Sequence, residues 1–140
     1  MGEFTVSTYQ FKAAIRRLLS EFPDIRHKAM VEAAQAMRRE AQLRCPVDEG
    51  NLTNDIAADT EIYPKSEQAC VYVPVNAPSS KYAIPMHEHD YELGENSKIK
   101  QGKVGVVVGK GYLTRAITEN IKSIMGGIAH TLRTELEKRA

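Results

Sequence analysis

Apolar residues near the start of the chain recur three or four positions apart. Phe11, Ile15, Leu18, Leu19 and Phe22 follow Ser7 and Gln10, which have the spacing of a capping box. This predicts a short amphipathic helix over 7–22, ended by Pro23. Asp24 can cap a second, longer helix over 24–44, roughly 30 Å in length. Its stripe of Met30, Ala34, Met37 and Ala41 lies opposite Arg38 and Arg39. Alanines there allow close packing on a neighbour, either the chain's own sheet or another subunit. Cys45-Pro46 stops the helix, and Asp48-Glu49-Gly50-Asn51 reads as a turn.

After the turn the period changes to two. Ile56, Ala58, Thr60 and Ile62 alternate with polar residues, as do Ala69, Val71, Val73 and Val75, where Pro74 suggests an edge or a strand end. Val104, Val106 and Val108 alternate again. Strands are therefore expected at about 55–63, 69–75 and 103–108, with a long loop over 76–101 that is rich in Pro, Ser, His, Glu and Gly. A last helix over 112–138 carries Ile117, Ile121, Ile124, Ile128, Leu132 and Leu136 on one side, and Gly126-Gly127 marks a kink or a close contact within it. Helix, helix, strands, helix is the order of an α+β domain spanning 1–140. A small antiparallel β-sheet packs against a long N-terminal helix and a C-terminal helix.

Composition narrows the class. A hydrophobic content of 42% and a charged content of 26% are near globular averages. A formal net charge of +1 argues against a coat for nucleic acid or an anionic membrane, and no apolar run approaches the ~20 residues that cross a bilayer. Cys45 and Cys70 read as reduced, buried small side chains of a cytosolic protein. The small net charge conceals a segregation. From Asp48 to Glu95 there are ten acids against two bases, and from Lys98 onward nine bases against three acids.

The densest local chemistry is His87-Glu88-His89-Asp90. All four are metal-ligand types, yet on a strand only His87 and His89 share a face, and the i, i+4 spacing of a helical zinc site is missing. There is no Gly-x-Ser-x-Gly elbow, neither cysteine has a local catalytic signature, and Gly105 to Gly111 lacks the Lys-Ser/Thr of a phosphate-binding loop. Nothing calls for a cofactor.

Three blocks carry a resemblance. They are Cys45-Pro46-Val47-Asp48-Glu49-Gly50-Asn51-Leu52-Thr53-Asn54-Asp55-Ile56, Tyr82-Ala83-Ile84-Pro85-Met86-His87-Glu88, and Val108-Gly109-Lys110-Gly111-Tyr112-Leu113-Thr114-Arg115-Ala116-Ile117. In this order they resemble the tail-completion (tail-to-head joining) and minor capsid family of long-tailed double-stranded-DNA phages. Pro46, Val47, Asp48, Gly50 and Leu52 match its first block. Tyr82, Ala83, His87 and Glu88 match the second, and Tyr112, Leu113 and Ala116 the third. Glu49 stands where the family commonly has Thr, Asn51 where it has Arg, and His89-Asp90 where many members have a small turn.

The resemblance implies a non-enzymatic virion protein of a phage or prophage, made in the bacterial cytoplasm and assembled at the neck. Its partners would be copies of itself in a six-fold ring, the head–tail connector, and the tail tube or tail terminator. DNA would pass through without specific binding, and no membrane is involved. In a ring, the acidic 48–95 segment could line the channel and repel phosphates, while the basic terminal helix meets an acidic neighbour. Two alternatives are a metal-dependent hydrolase built on His87, Glu88, His89 and Asp90, and a host-encoded interaction module.

Overall fold

A computed structural model describes residues 21–47 and 51–139. The helix expected over 7–22 lies almost wholly outside the described residues, as do Asp48, Glu49 and Gly50. Helix α1 (Pro23–Arg44) leads to a short helix, α2 (Asn51–Asp55), and then to β1 (Ala57–Ile62) and β2 (Glu67–Tyr72). Four further helices follow: α3 (Ser80–Glu88), α4 (Glu95–Val104), α5 (Tyr112–Thr118) and α6 (Ile121–Glu137). The architecture is α+β, with one two-stranded antiparallel sheet, a long helix near its N-terminal end and a C-terminal helix packed together.

Local chemistry explains the bounds of α1. Phe22, not Asp24, takes the cap position; Pro23 opens the first turn, where its missing N–H leaves no bond unmade, and Asp24 inside that turn favours the positive end of the helix dipole. At the other end Cys45 takes an extended backbone, the conformation that a following proline imposes. The buried side of α1 is wider than the Met30–Ala41 stripe. It includes Ile25, Ala29 and Ala33 as well as Ala34, Met37 and Ala41, because the sheet covers one flank and α5 and α6 cover another. Small alanine side chains let all three approach. Arg38 is not on the solvent side as expected: its Nε donates to the Ile56 carbonyl at 2.9 Å.

The strand register pairs Ala58 with Val71, Thr60 with Ala69 and Ile62 with Glu67 on the face toward α1. Ala69 and Val71 join a cluster with Ala33, Met37 and Ile124. The alternation in the sequence thus predicts the inward face at Ala58, Thr60, Ala69 and Val71, but Ile62 at the strand end is 63% exposed. Strand β1 is shorter than expected, β2 starts two residues early and leaves Val73 and Val75 outside it, and residues 51–55 are helical. Helix α6 runs antiparallel to α1, with Ile124 near Met37 and Glu135 near Lys28.

Three expectations fail. The 103–108 run forms no strand: Val104 ends α4, and Gly105, Gly109 and Gly111 all have positive φ. Successive left-handed glycines break the straight path that a strand needs. The 76–101 loop contains α3 and most of α4. The helix over 112–138 is two helices, divided at Glu119-Asn120, while Gly126 and Gly127 lie inside an unbroken α6. Ile121 consequently leaves the buried side and is 49% exposed.

Candidate functional site

The three sequence blocks are far apart along the chain and converge beside the C-terminal end of α1. Leu52, Ala83, Tyr112 and Ala116 share one buried cluster with Ala41, Cys45 and Ile56, and Met86 and Leu113 pack against it. Tyr112 is its centre. The ring is fully buried, and its hydroxyl donates to the Ala83 carbonyl at 2.8 Å, joining the third block to the second. A phenol buried with its one donor satisfied adds specificity to the apolar packing, and burial raises its pKa.

His87 lies on the last turn of α3, not in a loop, and its ring meets Tyr112 edge-on with centroids 5.1 Å apart. Nε2 accepts a hydrogen bond from the Thr114 backbone N–H at 3.3 Å, and Nδ1 lies 2.9 Å from Glu88 Oε1. Only the tautomer with its proton on Nδ1 satisfies both contacts. The Gly111 N–H donates to the His87 carbonyl at 2.8 Å. His87 therefore satisfies otherwise orphaned donors at the start of α5, whose own N-cap, Gly111, has no side chain to do so. Glu88, exposed, holds the imidazole in register.

The remaining motif residues divide. Val47 is fixed through its backbone, since Ser97 Oγ accepts from its N–H at 2.8 Å and donates to its carbonyl at 3.1 Å. Pro46, Val47, Leu52, Tyr82 and Met86 line a cavity of about 460 Å³, closed on another side by Tyr91 and Leu93. The Tyr82 ring is half exposed, with Lys81 above it at 5.2 Å. Asp48 and Gly50 lie outside the described residues.

Four supporting residues have roles that the blocks do not reveal, two of them, Asp55 and Arg115, inside the blocks and two, Ser97 and Lys100, outside them. Lys100 Nζ donates to the carbonyls of Gln42 and Cys45, at 2.6 Å for the second, and so caps the last turn of α1 from a helix fifty residues away. Its burial lowers its pKa. Arg115 binds three carbonyls of the glycine turn, those of Lys110 and Val107 at 2.8 Å and that of Gly109 at 3.4 Å. Asp55 accepts from both the N–H and the hydroxyl of Ser79, tying α2 to the start of α3. Ser97 holds Val47, as described. Arg115 stood inside the third block, but its hold on the glycine turn is visible only in the structure. No signal marked Lys100, whose partners are backbone atoms.

The reactive groups here are buried or already hydrogen-bonded. Cys45 is a free thiol, fully buried, with its pKa pushed up to about 11 by desolvation, far from the thiolate a nucleophile needs. The Ser79 hydroxyl is engaged by Asp55. Among the described residues no group of three His, Cys, Asp or Glu side chains could hold a metal ion, and His89 and Asp90 diverge from His87 beyond the end of α3. No described helix is long and apolar enough to cross a membrane. Comparison with models of known protein families, with curated proteins and with solved structures finds no match.

Proposed function

We propose that this chain is a structural protein of a tailed phage or prophage, acting in head–tail joining as a ring at the neck. The observation that supports this reading is the convergence of the three blocks. Leu52, Ala83 and Tyr112, whose order along the chain carries the resemblance, meet in one desolvated cluster and are joined by a Tyr112–Ala83 hydrogen bond. Blocks that meet by packing suit a protein whose task is to hold a shape between partners, without cofactor or turnover. Its partners are copies of itself, the connector, and the tail tube or terminator.

The acidic segment also fits, in a divided form. Asp59 and Glu61 are on the hairpin, whereas Glu88, Asp90, Glu92 and Glu95 lie near the other end of α1 and are exposed. The second group would suit a channel wall that repels DNA phosphates. Deleting the gene from its phage or induced prophage is the direct test. Filled heads and separate tails, rescued by the gene supplied in trans, are the expected outcome. Normal infectious particles, or a neck reconstruction without this chain, would falsify the proposal.

A further inference from the structure

Two surfaces of the described molecule are uncovered, and their chemistry is complementary. On the sheet face turned away from α1, the register sets Ala57, Asp59 and Glu61 opposite Tyr72, Cys70 and Gln68. Asp59, Glu61 and Gln68 are exposed, Tyr72 is 40% exposed, and neither strand carries a base. A two-stranded ribbon with one bare face is marginal by itself, and the usual cover for such a face is a helix.

Helix α6 presents such a face. Ile121 and Met125 are 49% and 56% exposed along one flank of the helix. Lys122 and Arg133 flank them, neither engaged in an ion pair among the described residues, and no acid occurs between Asn120 and Thr134. The lengths agree, since a six-residue strand is about 20 Å long and the helix from 121 to 133 is about 18 Å. At Gly126 and Gly127 nothing in the chain lies within 4 Å of where a Cβ would be, so a neighbour could come close there.

We propose that α6 of one copy lies across the outer sheet face of a second copy of this chain, with Lys122 and Arg133 against Asp59 and Glu61. The two patches differ, so the contact is head-to-tail and repeats from copy to copy until it closes or extends as a filament. Closure as a neck ring rests on the function proposed above. The contact itself is tested separately.

Cys70 lies on the proposed sheet face, and Cys45 is buried, so the chain carries its own reporter. Met125→Cys or Ala129→Cys in the full chain, oxidised with copper–phenanthroline, should give a ladder of covalent dimers and higher oligomers. Cys70→Ser should abolish it, and Ile84→Cys, on exposed α3, should give none. Asp59→Lys with Glu61→Lys should lower the yield about fivefold, the effect of two exposed ion pairs. Adding Lys122→Glu with Arg133→Glu should restore it. Three results overturn the contact: a Met125→Cys ladder no stronger than the Ile84→Cys control, wild-type dimers linked Cys70 to Cys70, or a Cys70 that resists maleimide in dilute monomer because the same chain covers it. None of these bears on whether heads and tails join without the gene, so the two proposals fail independently.

Discussion

The two ends of α1 are held by different balances of packing and charge. At its C-terminal end Ala41 and Cys45 are enclosed by Tyr112, Ala116, Leu52 and Ile56, the terminal carbonyls are met by Lys100, and the buried Arg44 pairs with Glu40 and Glu119. At its N-terminal end Ile25 and Ala29 are buried as well, and most of the cross-element contacts outside them are ion pairs. Arg26 and His27 share the enclosed Glu67 carboxylate, Lys28 pairs with Glu135, and Arg139 pairs with Asp24. Desolvated packing resists salt and acid, whereas exposed ion pairs contribute little and are screened. The blocks that carry the family resemblance all lie at the packed end.

The largest effect should come from Tyr112→Ala, which empties the centre of the packed end and strands the Ala83 carbonyl. A loss of about 3–5 kcal/mol in a denaturant melt is expected, with Tyr112→Phe costing about 1 kcal/mol for the hydrogen bond alone. Equal losses in the two variants would mean that packing is not what holds this end. At the charged end, Glu67→Ala should cost about 2–3 kcal/mol, below the range for a fully enclosed pair because His27 is open to water. A cost matching Tyr112→Ala would erase the contrast.

Lys100→Met removes the donor to two carbonyls at the end of α1 and should cost about 1–2 kcal/mol, reduced by the burial that already disfavours the charge. Amide exchange should quicken in the last turn of α1 and not in its first. In α6, Gly126→Ala adds a methyl into open space and should stabilise by about 0.5–1 kcal/mol, read as a higher melting temperature. A loss there would reveal a neighbour already close to the helix.

The smallest effect concerns acid. Hydrogen bonds from Arg139 hold the Asp24 carboxyl below its ordinary 3.8, and Lys28 and Lys138 hold Glu135 below 4.5. Depressed carboxylates contribute stability above their unfolded values, and that contribution is lost as pH falls through the folded ones. Between neutral pH and about 5 stability should therefore be flat from these groups, and below about 4 it should decline. Asp24→Asn with Glu135→Gln should remove that part of the acid dependence. An unchanged profile in the double variant would assign the acid sensitivity elsewhere.

Much of this frame was legible in the sequence. Pro23 starts α1 because its fixed φ and missing N–H suit the first helical position, and Cys45-Pro46 ends it because a proline disfavours helix in the residue before it. The alternation at 58 and 60 against 69 and 71 named the inward face of the sheet because strand periodicity is local. Tyr112 was marked as a helix start, and it proved to be the centre of the cluster. The role of His87 was not legible, since its partner Thr114 belongs to a different block and the contact exists only once α3 and α5 meet.

What the sequence determined by itself were the features set by neighbouring residues: the ends of α1, the pleat of the hairpin and the glycine-rich turn before α5. Tertiary structure decided the rest. Val104, Val106 and Val108 alternate as a strand would, but no strand edge pairs with them. The Val108 N–H is taken instead by the Gln101 side chain, and the Gly109 N–H by the Arg44 carbonyl. Residues 95–104, polar and unpromising, form a helix anchored where Ser97 and Lys100 reach the backbone of residues 42–47. Backbone donors and acceptors must find partners wherever water is excluded, and which partners are near is known only after the chain has folded.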